Sequence, residues 1–234
     1  GPASAQRRLI MAADKKPLAQ WYETLLDSVV KEREPASRSY RYLSRLIERE
    51  YPRTDSGVVL GFSCANDDQL STNVLLMQAY CLQSELGGSV LLIDARVKND
   101  GGGISQRLGL DHQTGYAELM REGPAEMAAL IQATTVPNVS VLPQGGQAGK
   151  PLVVHRQHLT TLLEQARAGY NYVLLQLGSV TADTRNLVSA THADAMLLLA
   201  HENKTLMREL LAAEQLLRGN GVDDVRVIVA AGES

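Results

Sequence analysis

The stretch with the clearest chemical potential lies between a predicted buried strand and a predicted helix, within GVVLGFSCANDDQLST at residues 57–72. In α/β proteins that bind phosphate chains, a loop at this place wraps the anion. Such a loop needs glycines that let several backbone N–H groups face one phosphate, a lysine for the β- and γ-phosphates, and a hydroxyl for Mg²⁺. Only the hydroxyls are present here, as Ser71 and Thr72.

The other positions of this loop hold residues that oppose phosphate binding. Leu70 stands where the lysine is needed. Asp67 and Gln69 stand where glycines are expected, and Asp68 lies between them. A carboxylate about 5 Å from a phosphate costs on the order of 3 kcal/mol at an effective dielectric constant near 20. Loss of the lysine contact removes roughly 1.5–3 kcal/mol more. We therefore expect ATP and Mg²⁺ to bind weakly or not at all, and we expect no other cofactor.

The same residues allow a simpler interpretation, in which the loop is a plain strand-to-helix turn. Asn66 or Asp67 would then lie near the N-cap of the helix, where short polar side chains accept a backbone N–H. This simpler interpretation predicts that no triphosphate is held at the loop.

Composition excludes several classes of function. The chain has 234 residues, enough for one α/β domain with a full core, and a formal net charge of −3. The negative net charge argues against a basic surface for nucleic acid. The chain contains one Phe and one Trp, so aromatic platforms on which bases could stack are not expected either. Cys64 and Cys81 lack the spacing of metal ligands. No apolar run approaches the roughly 20 residues that span a bilayer, so we expect a cytoplasmic protein without direct membrane insertion.

Strand-like and helix-like segments alternate along most of the chain. Strands are predicted at residues 58–62, 89–93, 138–142, 172–177, 193–200 and 225–230. Helices are predicted at residues 71–85, near 116–121 and 124–132, and at 155–168, 181–190 and 204–218. Continuous apolar strands joined by helices are typical of parallel sheets that are buried on both faces. The predicted fold is a doubly wound, mainly parallel sheet with helices on both faces, like that of P-loop NTPases.

We divide the chain into three parts. Residues 1–16 are interpreted as a flexible tail that opens with a Gly-Pro tag scar, residues 17–52 as N-terminal helices, and residues 53–234 as the α/β domain. Apolar residues at helical spacing between Leu18 and Val29 predict a first helix. A second helix follows Pro35 and carries basic residues beside its apolar stripe, namely Arg38, Arg41 and Arg45. These arginines form either a solvated face or a contact with a subunit or partner.

Six stretches in order resemble one family. They are SYRYL at 39–43, VLLIDAR at 90–96, ISQRLGL at 104–110, GYAELMREG at 115–123, VPNVSVLPQG at 136–145 and YNYVLLQLGSV at 170–180. Together they resemble the cytoplasmic domain of bacterial tyrosine kinases of the polysaccharide co-polymerase type, within the wider MinD/ParA-like P-loop ATPases. The resemblance covers the chain from about Pro35 onward and implies the P-loop fold, with a helix at 104–110.

The catalytic positions of that family are altered together. By the resemblance, Asp94 keeps one acidic position, but the next acidic position holds Arg96, and the metal-proximal aspartate of the Walker B strand is Gln176. A glutamine cannot supply the carboxylate charge that holds Mg²⁺ beside a triphosphate. By the same resemblance, the helix around 39–43 corresponds to a family helix with a Glu-x-x-Arg-x-x-Arg assembly motif. Arg41 fits this motif, whereas Arg38 occupies its Glu position.

The resemblance therefore implies a pseudo-tyrosine-kinase without catalytic residues, in which Leu70, Arg96 and Gln176 mark the degenerate positions. It would act as a scaffold or regulator of exopolysaccharide or capsule synthesis and export, peripheral to the inner membrane. The implied partners are an inner-membrane polysaccharide co-polymerase or an active kinase paralogue, with a homo-oligomer as a further possibility.

Two alternative functions use the same fold. One is a residual ATP-binding autokinase or ATPase that relies on Ser71, Thr72 and Asp94. The other is a degenerate positioning adaptor of the MinD/ParA type. A metal site at His155 and His158 is disfavoured, because no third ligand is adjacent. The triple glycine at 101–103 is interpreted as a mobile, switch-like loop.

Overall fold

Strands and helices alternate from the first helix to the last strand. The computed structural model describes residues 35–64, 68–98, 102–146, 150–201 and 204–230. The strands are β1 (Val58–Cys64), β2 (Val90–Asp94), β3 (Gln132–Ala133), β4 (Val139–Leu142), β5 (Tyr172–Gln176), β6 (Ala195–His201) and β7 (Val225–Ala230). The helices are α1 (Pro35–Glu50), α2 (Asp68–Leu86), α3 (Ile104–Arg107), α4 (Tyr116–Glu122), α5 (Met127–Leu130), α6 (Arg156–Gly169), α7 (Thr184–Ala190) and α8 (Met207–Gly219).

The seven strands form one sheet in the order β3-β4-β2-β5-β1-β6-β7. The pairs from β4 to β7 are parallel, and only β3 runs antiparallel to its neighbour β4. Helices cover two separate cores, one on each face of the sheet. The predicted fold, a doubly wound and mainly parallel sheet of the P-loop NTPase type, is confirmed.

The central strands are apolar throughout because both of their faces are buried. β1, β2 and β5 are buried at every position. Successive side chains of a strand point to opposite faces. Leu60 and Phe62 therefore join the core beneath α2, while Val59 joins the core beneath α6. Two-sided burial removes the polar–apolar alternation that a half-exposed strand would show.

Three predicted boundaries are corrected by local backbone geometry. The predicted helix at 124–132 ends early, because Gln132 and Ala133 pair antiparallel with β4 as β3. The helix predicted from residue 181 begins at Thr184, because the Asp183 carboxylate caps it by accepting the Arg185 backbone N–H at 2.9 Å. The segment expected to be helical at 104–110 leaves the helix after Arg107, before Gly109 with φ +68°.

Helix α1 packs directly on α2. Its predicted apolar stripe is confirmed, with Ile47 buried and Tyr40 and Leu43 packed against the core beneath α2. The helix predicted between Leu18 and Val29, the tail at 1–16, and the N-cap residues Asn66 and Asp67 lie outside the described residues. No helix in the described ranges combines the length and apolar character that a membrane span requires.

Candidate nucleotide site

The residues at issue meet at the carboxyl edge of the parallel sheet. Asp94 ends β2 and Gln176 ends β5, and these two residues are direct neighbours in the register of the paired strands. Ser71 and Thr72 lie in the first turns of α2, which follows β1. All four side chains are fully buried. Since parallel strands end at the same edge, the fold brings together residues that are up to 105 positions apart, as in the Gln176–Ser71 pair.

The carboxamide of Gln176 fills the space between the strand end and the two hydroxyls. Its Nε2 donates to Ser71 Oγ at 2.9 Å and to Thr72 Oγ1 at 2.7 Å. Its Oε1 accepts the backbone N–H of Ile104 at 2.9 Å. A backbone N–H can only donate, so it fixes Oε1 as the acceptor and leaves the NH₂ group to face the hydroxyls. The orientation of the amide is thus determined by the main chain.

These contacts do not fit a magnesium ion. Mg²⁺ requires oxygen ligands in near-octahedral geometry, commonly from carboxylate, hydroxyl and water. Here two N–H bonds point at the hydroxyl oxygens that would be needed as ligands. Thr72 also donates its own proton to the Gly102 carbonyl at 2.7 Å. The hydroxyls are therefore used in internal hydrogen bonds between β5, α2 and the residues before α3.

Asp94 is satisfied by protein donors alone. Its Oδ2 accepts the Ser105 hydroxyl at 2.7 Å and the Ser105 backbone N–H at 3.1 Å. Its Oδ1 accepts Arg96 Nε at 3.2 Å. Arg96 is 2 % exposed and Asp94 0 %, so this is a buried ion pair between residues two positions apart. Arg96 thus neutralises the charge of Asp94.

Two further residues complete the network, and sequence reasoning did not select them. Ser105 Oγ accepts the backbone N–H of Gln144 at 2.8 Å. The Gln144 side chain donates to the carbonyls of Arg96 and Lys98, each at 2.7 Å. Their types carry no specific signal, because Ser and Gln are common and the loops after β2 and β4 meet only in the fold. We call this set the edge cluster, comprising Ser71, Thr72, Asp94, Arg96, Ser105, Gln144 and Gln176.

Leu70 lies outside the edge cluster. It is partly buried and packs against the apolar core beneath α2. The position predicted to lack its phosphate-binding lysine is therefore used for core packing. Asp67 and the side chains of Asp68 and Gln69 lie outside the described residues, so their proposed repulsion of phosphate stays a prediction.

The three arginines proposed for partner contact differ in their surroundings. Arg41 forms an ion pair with Glu85 of α2 at 3.3 Å, with 34 % of its side chain exposed. Arg45 reaches Glu48 at 3.2 Å and Glu85 at 3.5 Å. Arg38 is exposed and forms no ion pair with another described residue. Their role in partner contact stays a prediction, and Arg41 has an intramolecular role in addition.

The histidines considered as metal ligands form a local pair. The rings of His155 and His158 are 5.2 Å apart and nearly edge-to-face. His158 Nδ1 lies 2.6 Å from the Met120 carbonyl, an arrangement that anchors α6 to α4. Within the ranges that the structure describes, no group of three or more His, Cys, Asp or Glu residues is placed to hold a metal ion.

Comparison with known proteins finds sequence similarity to a tyrosine-protein kinase. No family model matches the chain. The tyrosine-protein kinase ptk of Acinetobacter johnsonii is 30% identical over 122 residues, which is 52% of this chain and 16% of that protein. The match thus spans a small part of that relative's length.

The structural neighbours agree on the fold. The kinase domain of the Escherichia coli tyrosine kinase ETK superposes with a TM-score of 0.73 and 19% identity, covering 89% of this chain and 80% of that one. The MinD cell division protein of Aquifex aeolicus gives a TM-score of 0.55 and 18% identity, covering 74% and 69% of the two chains. The chain is thus similar in sequence to part of a bacterial tyrosine-protein kinase, and it shares its fold with a bacterial tyrosine kinase domain and with MinD and ParA proteins.

Proposed function

We propose that this protein is a non-catalytic pseudo-tyrosine-kinase that acts as a scaffold or regulator in bacterial exopolysaccharide or capsule synthesis and export. It binds an inner-membrane polysaccharide co-polymerase or an active kinase paralogue, and it is cytoplasmic and peripheral to the membrane through that partner. The pathway and the partners are carried over from the family that the sequence resembles. The lack of phosphoryl transfer is argued from this chain's own residues.

The observation that carries the proposal is the orientation of the Gln176 carboxamide. In phosphoryl transfer the metal ions and their carboxylates neutralise the charge of the phosphates. A buried N–H donor at that position presents positive hydrogens to any incoming cation. Arg96 also compensates the charge of Asp94. The edge cluster therefore has no uncompensated negative charge that would attract Mg²⁺. Its hydroxyl and carboxylate oxygens already accept hydrogen bonds from the protein.

Titration with Mg-ATP tests the absence of catalysis. We expect no heat of binding in calorimetry and no shift of the melting temperature at millimolar nucleotide, with or without Mg²⁺. Ligand at 100 times its dissociation constant would add about 2.7 kcal/mol of stability, which a melting curve resolves easily. The matched control is Thr72→Ala, which removes one retained hydroxyl. Mg²⁺-dependent stabilisation of the natural chain that Thr72→Ala abolishes would refute the proposal.

The residual kinase is the second candidate, because Ser71, Thr72 and Asp94 do converge at the carboxyl edge. It predicts transfer of label from γ-labelled ATP to the chain or to a supplied kinase partner. The scaffold predicts none, but it predicts that the chain co-purifies with the co-polymerase encoded in the same organism. Arg38→Glu, at an exposed position of α1, should weaken that association without changing the melting temperature. Unchanged association in this variant would remove the α1 face from the proposed contact.

A further inference from the structure

We infer that Arg96 is a built-in cation that holds residues 102–107 against the carboxyl edge without any ligand, so that this edge presents one fixed surface. The inference deepens the proposed function. Its statement that no nucleotide is needed rests on that function. It concerns a positioning residue, since Arg96 acts through Asp94. Four observations on the edge cluster support it.

The first observation is the need of Asp94 for a positive charge. A fully buried carboxylate is strongly unfavourable unless a cation and hydrogen-bond donors compensate it. Arg96 is the cation in contact with Asp94, and its guanidinium is buried as completely as the carboxylate. The sequence thus carries both members of the pair within three residues, and no bound ion is required for charge balance.

The second observation is that the Arg96 guanidinium packs closely against Gly103. A Cβ added to Gly103 would lie 2.1 Å from one terminal guanidinium nitrogen of Arg96 and 2.3 Å from its central carbon. Any larger residue would displace the arginine. The backbone before α3 therefore approaches the cation as closely as glycine permits, and packing as well as charge joins the two segments.

The third observation concerns the acceptors of the first backbone amides of α3. The leading N–H groups of a helix have no partner within the helix. Here the Ile104 amide donates to Gln176 Oε1 and the Ser105 amide donates to Asp94 Oδ2. Both amides are therefore protected only while Gln176 and Asp94 keep their orientations. Since Arg96 contacts Asp94, the Ser105 amide reports on the arginine through Asp94, and the adjacent Ile104 amide reports on the position of the same end of α3.

The fourth observation is that the same pair reaches a second loop. Ser105 accepts the Gln144 amide, and the Gln144 side chain donates to the Arg96 carbonyl. The segments after β2 and after β4 are thus joined through Asp94 and Ser105. Within the triple glycine at 101–103, the Gly102 carbonyl accepts the Thr72 hydroxyl and Gly103 packs against the Arg96 guanidinium, while the interpretation of this stretch as a mobile loop stays a prediction. Hydrogen bonds therefore connect the segments along the carboxyl edge, from α2 to the residues that follow β4.

Amide hydrogen exchange measured by NMR on the full chain tests the inference. We expect the Ile104 and Ser105 amides of the natural chain to be protected equally with and without Mg-ATP. Arg96→Ala should speed their exchange by at least tenfold while amides of β6 and α6 keep their rates. The matched control is Arg121→Ala, which removes an exposed arginine paired with Glu122 on α4 and should change both rates by less than twofold.

Two further variants keep the test decisive if Arg96→Ala fails to fold. Gly103→Ala leaves the charge of Arg96 in place but displaces its guanidinium, so it should also speed both amides at least tenfold. Arg96→Lys keeps a cation near Asp94 and should have a smaller effect than Gly103→Ala. Exchange within twofold of the natural rate in folded Arg96→Ala, or in Gly103→Ala, would overturn the inference.

The same experiment separates this inference from the proposed function. Slower exchange of the two amides on addition of Mg-ATP would show nucleotide binding and refute the scaffold. In that case, tenfold acceleration in Arg96→Ala without nucleotide would still support the positioning role of the arginine. Equal rates in the natural chain and Arg96→Ala, with no response to Mg-ATP, would leave the scaffold standing and remove the positioning role.

Discussion

The edge cluster and the contact between α1 and α2 use polar residues in opposite ways. In the edge cluster the Asp94 and Gln176 side chains are fully buried and make several hydrogen bonds each. Between α1 and α2, Gln78 is also buried and donates to Ser44 Oγ at 2.7 Å, but its Oε1 has no hydrogen-bond partner among the described residues. The charged pairs there, including Arg41 with Glu85, are partly exposed.

The difference shows where this chain is constrained. A buried network in which each donor meets an acceptor defines one arrangement, and loss of any member leaves a buried group unpaired. Exposed ion pairs contribute roughly 0–1 kcal/mol each and tolerate change. The α1–α2 contact therefore depends on its apolar stripe, whereas the edge cluster depends on exact polar pairing. The position that should bind a ligand is the more rigidly specified of the two.

The largest expected effect comes from Gln176→Glu. This change places a second carboxylate beside Asp94, whose one ion pair within the described residues is with Arg96, so we expect the free energy of unfolding to fall by about 3–5 kcal/mol. Urea denaturation at pH 7 measures it, with the exposed Gln157→Glu on α6 as the control. A loss below about 1 kcal/mol would contradict the account of the edge cluster. Recovery of stability on adding Mg²⁺ would show that the position can still hold a metal.

A smaller effect is expected at the α1–α2 contact. Arg41→Glu replaces an attraction to Glu85 with a repulsion between partly exposed groups, which should cost about 1 kcal/mol. The double variant Arg41→Glu/Glu85→Arg should recover most of that loss in the same urea titration. Failure of the second change to restore stability would mean that Arg41 contributes by packing and not by its ion pair.

The smallest effect concerns a thiol of the same interface. Burial raises the pKa of Cys81 to about 12, an effect larger than the opposing influence of Arg41. The Cys81 thiol therefore loses its proton at a higher pH in the folded state than in the unfolded state. Its contribution to the free energy of unfolding is present at neutral pH and declines as the pH rises above about 8.5. We expect Cys81 to react with a maleimide at pH 8 only after denaturation, with mass spectrometry as the readout. Rapid labelling of the native chain would show that α1 separates from α2.

Much of the fold followed from the sequence because it depends on local patterns. Buried parallel strands are apolar at every position, so β1, β2 and β5 were predicted to within two residues at each end. Strand β3 was missed because it has only two residues, one partly buried and one exposed, which is too short to show an alternation of apolar and polar side chains. The start of α7 was misplaced because capping by Asp183 depends on a single side chain.

The sequence by itself determined the residue types at the candidate site, including Leu70, Arg96 and Gln176, since no fold can change them. Only the tertiary structure decided what these residues do instead. Leu70 packs in the core, Arg96 balances Asp94, and Gln176 joins β5 to α2 and α3. Ser105 and Gln144 could not be selected in advance, because a hydrogen bond between distant loops depends on distances that no local pattern encodes. Residue type limits what a site can do, but the parallel strand ends determine which residues meet.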